Sequence, residues 1–325
     1  MANELTVLPP RGVARAFDAE ELVEEWRASM AERVAAGEMA QTTADTYARG
    51  MAAFLAWADD TDVERIGPRA LRGWKASLLD AGRKPAGVNV LLAGVKAFFA
   101  WAVAERGLAY DPTQGVKGAT RTGGRRHKRA ALSDTEVLRV LAQPDTDTDT
   151  GKRDAAMLYL LAYTGVRTIE VQRARVGDLR TNGHTTLLIQ GKGRAEADEA
   201  VYLVKPEVLD AVYAWLAVHP RGHDATAPLF CGLGNRNRGG ALTTRAIRGI
   251  VKRYYQAAGI RDPHKTTHSL RHTVVTNLIR HKVAPTKIMS VTRHKSLDTL
   301  LAYAHEVERD ADPAEAHIDY GPSCG

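Results

Sequence analysis

The stretch Asp111–Ala130, DPTQGVKGATRTGGRRHKRA, constrains the fold most. It contains four glycines, no apolar periodicity and no acidic residue after Asp111. It lacks the apolar spacing of a core-facing element, and its glycines mark it as a linker by composition. It therefore divides the 325 residues into two folding units. It is not a neutral spacer either, because Lys117, Arg121, Arg125, Arg126, Lys128 and Arg129 are all cationic. A nuclear-targeting run is one reading. The position between two folded units favours a strap along a nucleic-acid backbone, with Arg125, Arg126, Lys128 and Arg129 on phosphates.

Before the strap, apolar spacing predicts helices over Phe17–Ala36, Thr42–Ala58, Pro68–Ala81 and Pro85–Glu105. Four amphipathic helices with short connections imply a compact bundle. After it, Ser133 and Glu136 form a capping-box pattern before a helix ending near Ala142. Further helices are expected over Lys152–Thr164, Pro206–Val218, Thr243–Ala258, Thr267–His281, Pro285–Val291 and Leu297–Tyr303. Thr185–Ile189 and Ala200–Val204 read as two strands around a Gly-Lys-Gly turn. The fold class is mainly α, with a small antiparallel β-sheet in the second domain.

Composition narrows the function. The two cysteines, Cys231 and Cys324, form no CxxC pattern, which excludes a disulfide scaffold and a thiolate zinc site. The longest uninterrupted apolar run, Ala97–Ala104, is short for a membrane span, and no signal peptide is visible, so a cytoplasmic protein is expected. The net charge is +7, but both ends are acidic; residues 33–304 hold 41 basic and 25 acidic residues. A basic body with acidic ends suggests a polyanionic partner, and an ordinary mildly basic enzyme is the plainer reading of the same balance. The glycine- and arginine-rich loop Gly232–Gly240 matches no nucleotide-binding fingerprint.

Pro263–Leu297 holds seven Lys/Arg, five His and no Asp or Glu. Within it His268, Arg271 and His272 fall near one helix face. A solvated basic face is the plain reading. A zinc site on His264, His268 and His272 is a second, but no carboxylate lies nearby in sequence and HExxH is absent. A phosphate site is the third, since guanidinium presents forked donors to phosphate oxygens and a histidine can move a proton. One arginine is too little for a phosphodiester transition state. A second is available in Thr164-Gly165-Val166-Arg167, followed by Glu170. Taken alone, Arg167 also reads as a cation at a helix C-terminus.

These pieces together are T-G-x-R-x-x-E (Thr164–Glu170), G-K-G (Gly191–Gly193), H-x-L-R-H-T (His268–Thr273), then His294 with Tyr303 nine residues on. In that order, behind a helical domain and a basic linker, the chain resembles the tyrosine recombinases, the phage integrase family. The resemblance implies a SAM-like core-binding domain at 17–112 and a basic linker at 113–130. A catalytic domain of the DNA breaking-rejoining fold would occupy 131–307, flanked by tails at 1–16 and 308–325. The short N-terminal tail implies no arm-binding domain, hence a Xer-like or plasmid-resolvase type rather than a large phage integrase.

The resemblance also implies roles. Arg167 and Arg271 match the arginines that clamp the scissile phosphate. Lys192 matches the acid that protonates the leaving 5′-oxygen, and His268 the proton acceptor. His294 matches a phosphate hydrogen-bond donor, Glu170 an orienting acid, and Tyr303 the nucleophile that forms a 3′-phosphotyrosyl link. Tyr254 and Tyr255 are expected to pack or to contact backbone phosphate instead, and Tyr320 lies in the acidic tail. The implied partner is double-stranded DNA held by a homo-tetramer on two sites, with no membrane, no cofactor and no metal. A type IB topoisomerase-like enzyme and a non-catalytic DNA-binding protein of the same fold are the alternatives. Two places depart from the family pattern. Thr292-Arg293 stands where the family usually has Leu-Gly, which implies an altered turn or an added phosphate contact. Glu196, Asp198 and Glu199 follow the Gly-Lys-Gly turn, where the family often shows basic residues and proline.

Overall fold

The structure is a computed structural model. It describes residues 19–58, 63–120, 130–191 and 196–293, together with Leu297 and Leu300. The chain divides into two compact units, Met1–Gly124 and Arg125–Gly325.

The first unit holds α1 (Ala19–Ala35), α2 (Gln41–Ala58), α3 (Pro68–Asp80) and α4 (Pro85–Arg106). Proline opens α3 and α4, where a missing N–H has no consequence. Gly107 closes α4 in the left-handed region, at φ 71°. Along α4, Val88, Leu91, Leu92, Val95, Phe98, Phe99 and Ala102 are buried, so the expected apolar face is the observed one. By length and composition alone α4 could cross a membrane, but this face lies in the bundle core. Helices α2 and α4 approach closely through two glycines. A Cβ on Gly50 would lie 2.4 Å from the Leu91 carbonyl oxygen, and one on Gly94 2.4 Å from that of Tyr47. Aromatic edges fill the rest of the core, with Trp26 against Phe98 and Phe54 against Trp74.

Residues 113–120, grouped with the linker by composition, are fastened to this bundle. Asn89 on α4 donates to the Ala119 carbonyl (3.1 Å) and accepts from its N–H (2.6 Å), and Val116 is buried. The cationic linker residues Arg125, Arg126, Lys128 and Arg129 lie outside the described residues.

The second unit holds α5 (Asp134–Leu141), α6 (Asp149–Thr164), α7 (Thr168–Arg173), β1 (Leu179–Arg180), β2 (Thr186–Ile189), β3 (Glu199–Tyr202), α8 (Pro206–Leu216), α9 (Thr244–Ala257), α10 (Thr267–Arg280) and α11 (Pro285–Thr292). The capping box on Ser133 and Glu136 is present. The sheet is antiparallel in the order β1-β2-β3, with Leu187 opposite Val201 and Ile189 opposite Glu199. Period-2 alternation sends Leu187, Ile189 and Val201 into a core shared with α6, α8 and α9. Trp215 on α8 is fully buried there, its indole N–H bonded to the Leu229 carbonyl at 2.8 Å.

The helix expected at Leu297–Tyr303 lies outside the described residues except for Leu297 and Leu300. Leu300 is buried against Val275 and Ile288, which brings the chain beyond α11 back onto α10.

Candidate active site

Helix α6 stops at Gly165, whose φ of 62° is left-handed, and the chain turns sharply. Arg167 is therefore not a dipole partner at the end of α6. It is the N-cap of α7, with Glu170 three residues on. Glu170 reaches back to accept from the Arg167 backbone N–H (2.7 Å) and from its Nη1 (2.8 Å). This carboxylate is fully buried, so its charge requires several donors.

The second arginine comes from α10. Thr266 caps that helix, and Thr273 anchors it by donating to the Ser269 carbonyl while accepting the Leu132 N–H at 2.8 Å. Arg271 lies on the buried face. Its Nη1 donates to the Gly165 carbonyl at 2.6 Å and its Nη2 to that of Thr292. The Nη2 of Arg167 donates to the next carbonyl, that of Arg293, at 3.2 Å. Two arginines far apart in sequence thus hold consecutive carbonyls of one turn, the C-terminal end of α11. That turn leads into His294.

Arg293 itself has φ 55° and ψ 43°, a left-handed conformation that favours glycine. Its guanidinium turns inward, with Nη2 at 2.7 Å from Glu170 and Nε at 3.6 Å from Glu199. Burial pushes its pKa down while Glu170 holds it up, the net shift being downward. The Arg293 backbone thus takes the conformation a glycine would take there, and its side chain forms ion pairs with Glu170 and Glu199.

His268 is partly buried, one turn before Arg271, and its ring meets that of His272 edge-on at 5.6 Å. His268 and Thr168 line a cavity of about 770 Å³, together with Arg248, Lys252, Arg261 and Lys265. This concentration of cations next to the arginine turn was not anticipated. Its signal was readable: Arg245, Arg248 and Lys252 fall on one side of α9, and Ile247 and Val251 on the buried side. Lys265 is also bonded to Glu136 at 2.6 Å. Among the described residues no three His, Cys, Asp or Glu side chains are placed to share an ion.

A buried cluster was missed entirely. Asp154 on α6 is fully buried and accepts from Arg153 (2.6 Å), Arg253 (2.7 Å) and the Tyr254 hydroxyl (2.9 Å). Tyr254 is thereby committed, and burial, followed by Asp154, raises its pKa. Tyr255 is buried, with its hydroxyl on the Thr266 carbonyl, and burial raises its pKa as well. Both hydroxyls are thus engaged in hydrogen bonds within the unit. Lys192, His294 and Tyr303 lie outside the described residues, although Gly191 just before Lys192 accepts a long bond from Arg173 at 3.4 Å.

Comparison with known proteins places this architecture. The phage integrase family matches residues 131–309, and the phage integrase N-terminal SAM-like domain matches residues 32–106. The chain belongs to the phage integrase family: it is a tyrosine recombinase, an enzyme of site-specific recombination. Among its relatives, tyrosine recombinase XerC of Mycobacterium bovis is 30% identical over 263 residues, spanning 79% of this chain and 84% of that protein. Tyrosine recombinase XerD of Lacticaseibacillus casei is 27% identical over 274 residues, spanning 82% and 88%. Among solved structures, the post-cleavage complex of the XerH site-specific recombinase with a palindromic difH substrate superposes with a TM-score of 0.69 at 21% identity. It covers 84% of this chain and 79% of that one. The lambda integrase tetramer bound to a Holliday junction gives 0.72 at 15%, covering 92% and 80%. At such identities the likeness establishes a common fold.

Proposed function

We propose that this chain exchanges strands between two DNA duplexes at a defined site, as a homo-tetramer, through a 3′-phosphotyrosyl link and a Holliday junction. The phenol oxygen of Tyr303 attacks the scissile phosphorus, and the bond from phosphorus to the 5′-oxygen breaks. His268 accepts the phenol proton, and Lys192 gives a proton to the departing 5′-oxygen. Arg167, Arg271 and His294 hold the non-bridging oxygens while negative charge builds on them. Rejoining reverses the step: a 5′-hydroxyl from the other duplex attacks and Tyr303 leaves. One phosphodiester is exchanged for another, so no nucleotide need be hydrolysed.

The observation that carries this reading is the joint hold of Arg167 and Arg271 on the turn preceding His294. A clamp needs two guanidiniums at fixed separation, and carbonyl bonds from each to one turn supply that. The cations around the adjacent cavity support passage of the DNA backbone beside the clamp. The linker residues Arg125, Arg126, Lys128 and Arg129 would add phosphate contacts that do not depend on base sequence. The lambda integrase tetramer on a Holliday junction supports the assembly, and relatives named XerC and XerD support a Xer-type role in the cytoplasm, at the nucleoid.

A nicked suicide duplex tests the reading. The natural chain should trap a covalent adduct on the 3′ phosphate and release a free 5′-hydroxyl. Tyr303→Phe should bind the duplex and trap nothing, and Tyr320→Phe should behave like the natural chain. An adduct mapped by mass spectrometry to another residue would overturn the assignment.

A further inference from the structure

We propose that Arg293 is a positioning residue for strand cleavage, with Glu170 and Glu199 as its counter-ions. This rests on the reading of Arg167 as the phosphate clamp.

The two places where the sequence departs from its family meet in space. Arg293 precedes the late histidine, and Glu199 opens β3 after the Gly-Lys-Gly turn. Their Nε and Oε2 atoms lie 3.6 Å apart, and Nη2 of Arg293 lies 2.7 Å from Glu170. The Arg293 side chain is only 10% exposed. A left-handed backbone disfavours any residue with a Cβ, so the turn alone would select glycine. The side chain must offset that through what it contacts.

Charge explains what it does. Glu170 pairs with Arg167, and such a pair has little field left for a phosphate. Glu199 adds a second carboxylate beside this pair. Arg293 sets its positive charge against both acids, and Arg167 keeps more of its attraction for the scissile group. Its guanidinium also ties α7, the start of β3 and the end of α11 together, and its carbonyl holds Arg167. Clamp arginine, lysine-bearing hairpin and histidine-bearing turn are thus joined through one side chain.

Single-turnover cleavage of the suicide duplex, with duplex affinity measured separately, tests the inference. Arg293→Gly suits the left-handed turn but takes one donor from the buried Glu170, so it should melt earlier while keeping the affinity. Its cleavage should slow on the order of tenfold. Adding Glu199→Gln should restore most of that rate, because one of the two acids that Arg293 faced is gone. Arg293→Lys keeps the charge and should also retain most of the rate. If Arg293→Gly melts too early to assay, Arg293→Lys decides, and a loss as large as that of glycine in a stably folded lysine variant would overturn the proposal. So would a natural rate in Arg293→Gly, or a loss that Glu199→Gln leaves unchanged. Tyr303→Phe runs alongside as the control. An inert Phe variant with a normal Arg293→Gly sinks this inference alone, whereas an adduct in the Phe variant sinks the site reading beneath it.

Discussion

The two units bury different chemistry. Among the described residues of 1–124, the only buried polar side chain is Thr113; the rest of the core is aliphatic and aromatic, with Trp26, Phe54, Trp74 and Phe98 at its centre. The second unit has a comparable apolar core but also buries Arg153, Asp154, Glu170, Arg271 and His272. Burying charge contributes little to stability and is retained where it fixes geometry. The contrast separates a unit shaped by packing from one whose interior holds functional groups at set distances. The site lies in the unit with the charged interior.

Paired substitutions should expose the difference. Phe98→Ala opens a cavity in the bundle and should destabilise it by about 4 kcal/mol. Four of the five tryptophans, Trp26, Trp57, Trp74 and Trp101, lie in that unit, so denaturation followed by fluorescence reports it. Asp154→Ala strands the buried guanidinium of Arg153 and should destabilise the second unit by about 3 kcal/mol. Circular dichroism should register that change while the fluorescence transition stays near its natural midpoint. If either variant moves both transitions equally, the units do not differ as described.

The smallest effect should depend on pH. Glu136 is partly shielded from solvent, and burial alone would raise its pKa, but the bonds from Lys265 and Ser133 win and lower it below the usual 4.5. A depressed carboxylate stabilises the fold above its unfolded pKa, and that contribution fades as pH falls through the folded value. Glu136→Gln should therefore be less stable by about 1–2 kcal/mol at neutral pH. The gap should narrow in thermal melts below pH 4.5 and close once the natural carboxyl is protonated. A gap that persists undiminished in acid would assign the effect to shape rather than charge.

Legibility followed the same division. Helices α2 to α4 were readable to within a residue, because apolar spacing, proline starts and Gly107 all agree locally. Helix α6 begins earlier than expected, since the Asp/Thr alternation conceals Thr148 as its cap. Helix α7 and strand β1 were missed, having six and two residues, too few for any period to show. Arg167, Glu170, His268 and Arg271 were visible as motif residues, but their spatial relation was not. The Gly165 turn and the carbonyls of Thr292 and Arg293 that the arginines hold are tertiary facts. The Asp154 cluster gave no local signal, because its partner Arg253 is fixed only when α9 docks on α6.

The central claim is that Arg167 serves the negative charge of the scissile phosphate. A duplex carrying a neutral methylphosphonate at that position removes the charge and keeps the phosphorus. On ordinary DNA, Arg167→Ala should cleave at least about a hundredfold more slowly than the natural chain. On the methylphosphonate duplex, the same variant should lose far less, since there is little charge left to hold. An equal loss on both substrates would show that Arg167 supports the fold of α7 rather than the phosphate, and would contradict the account.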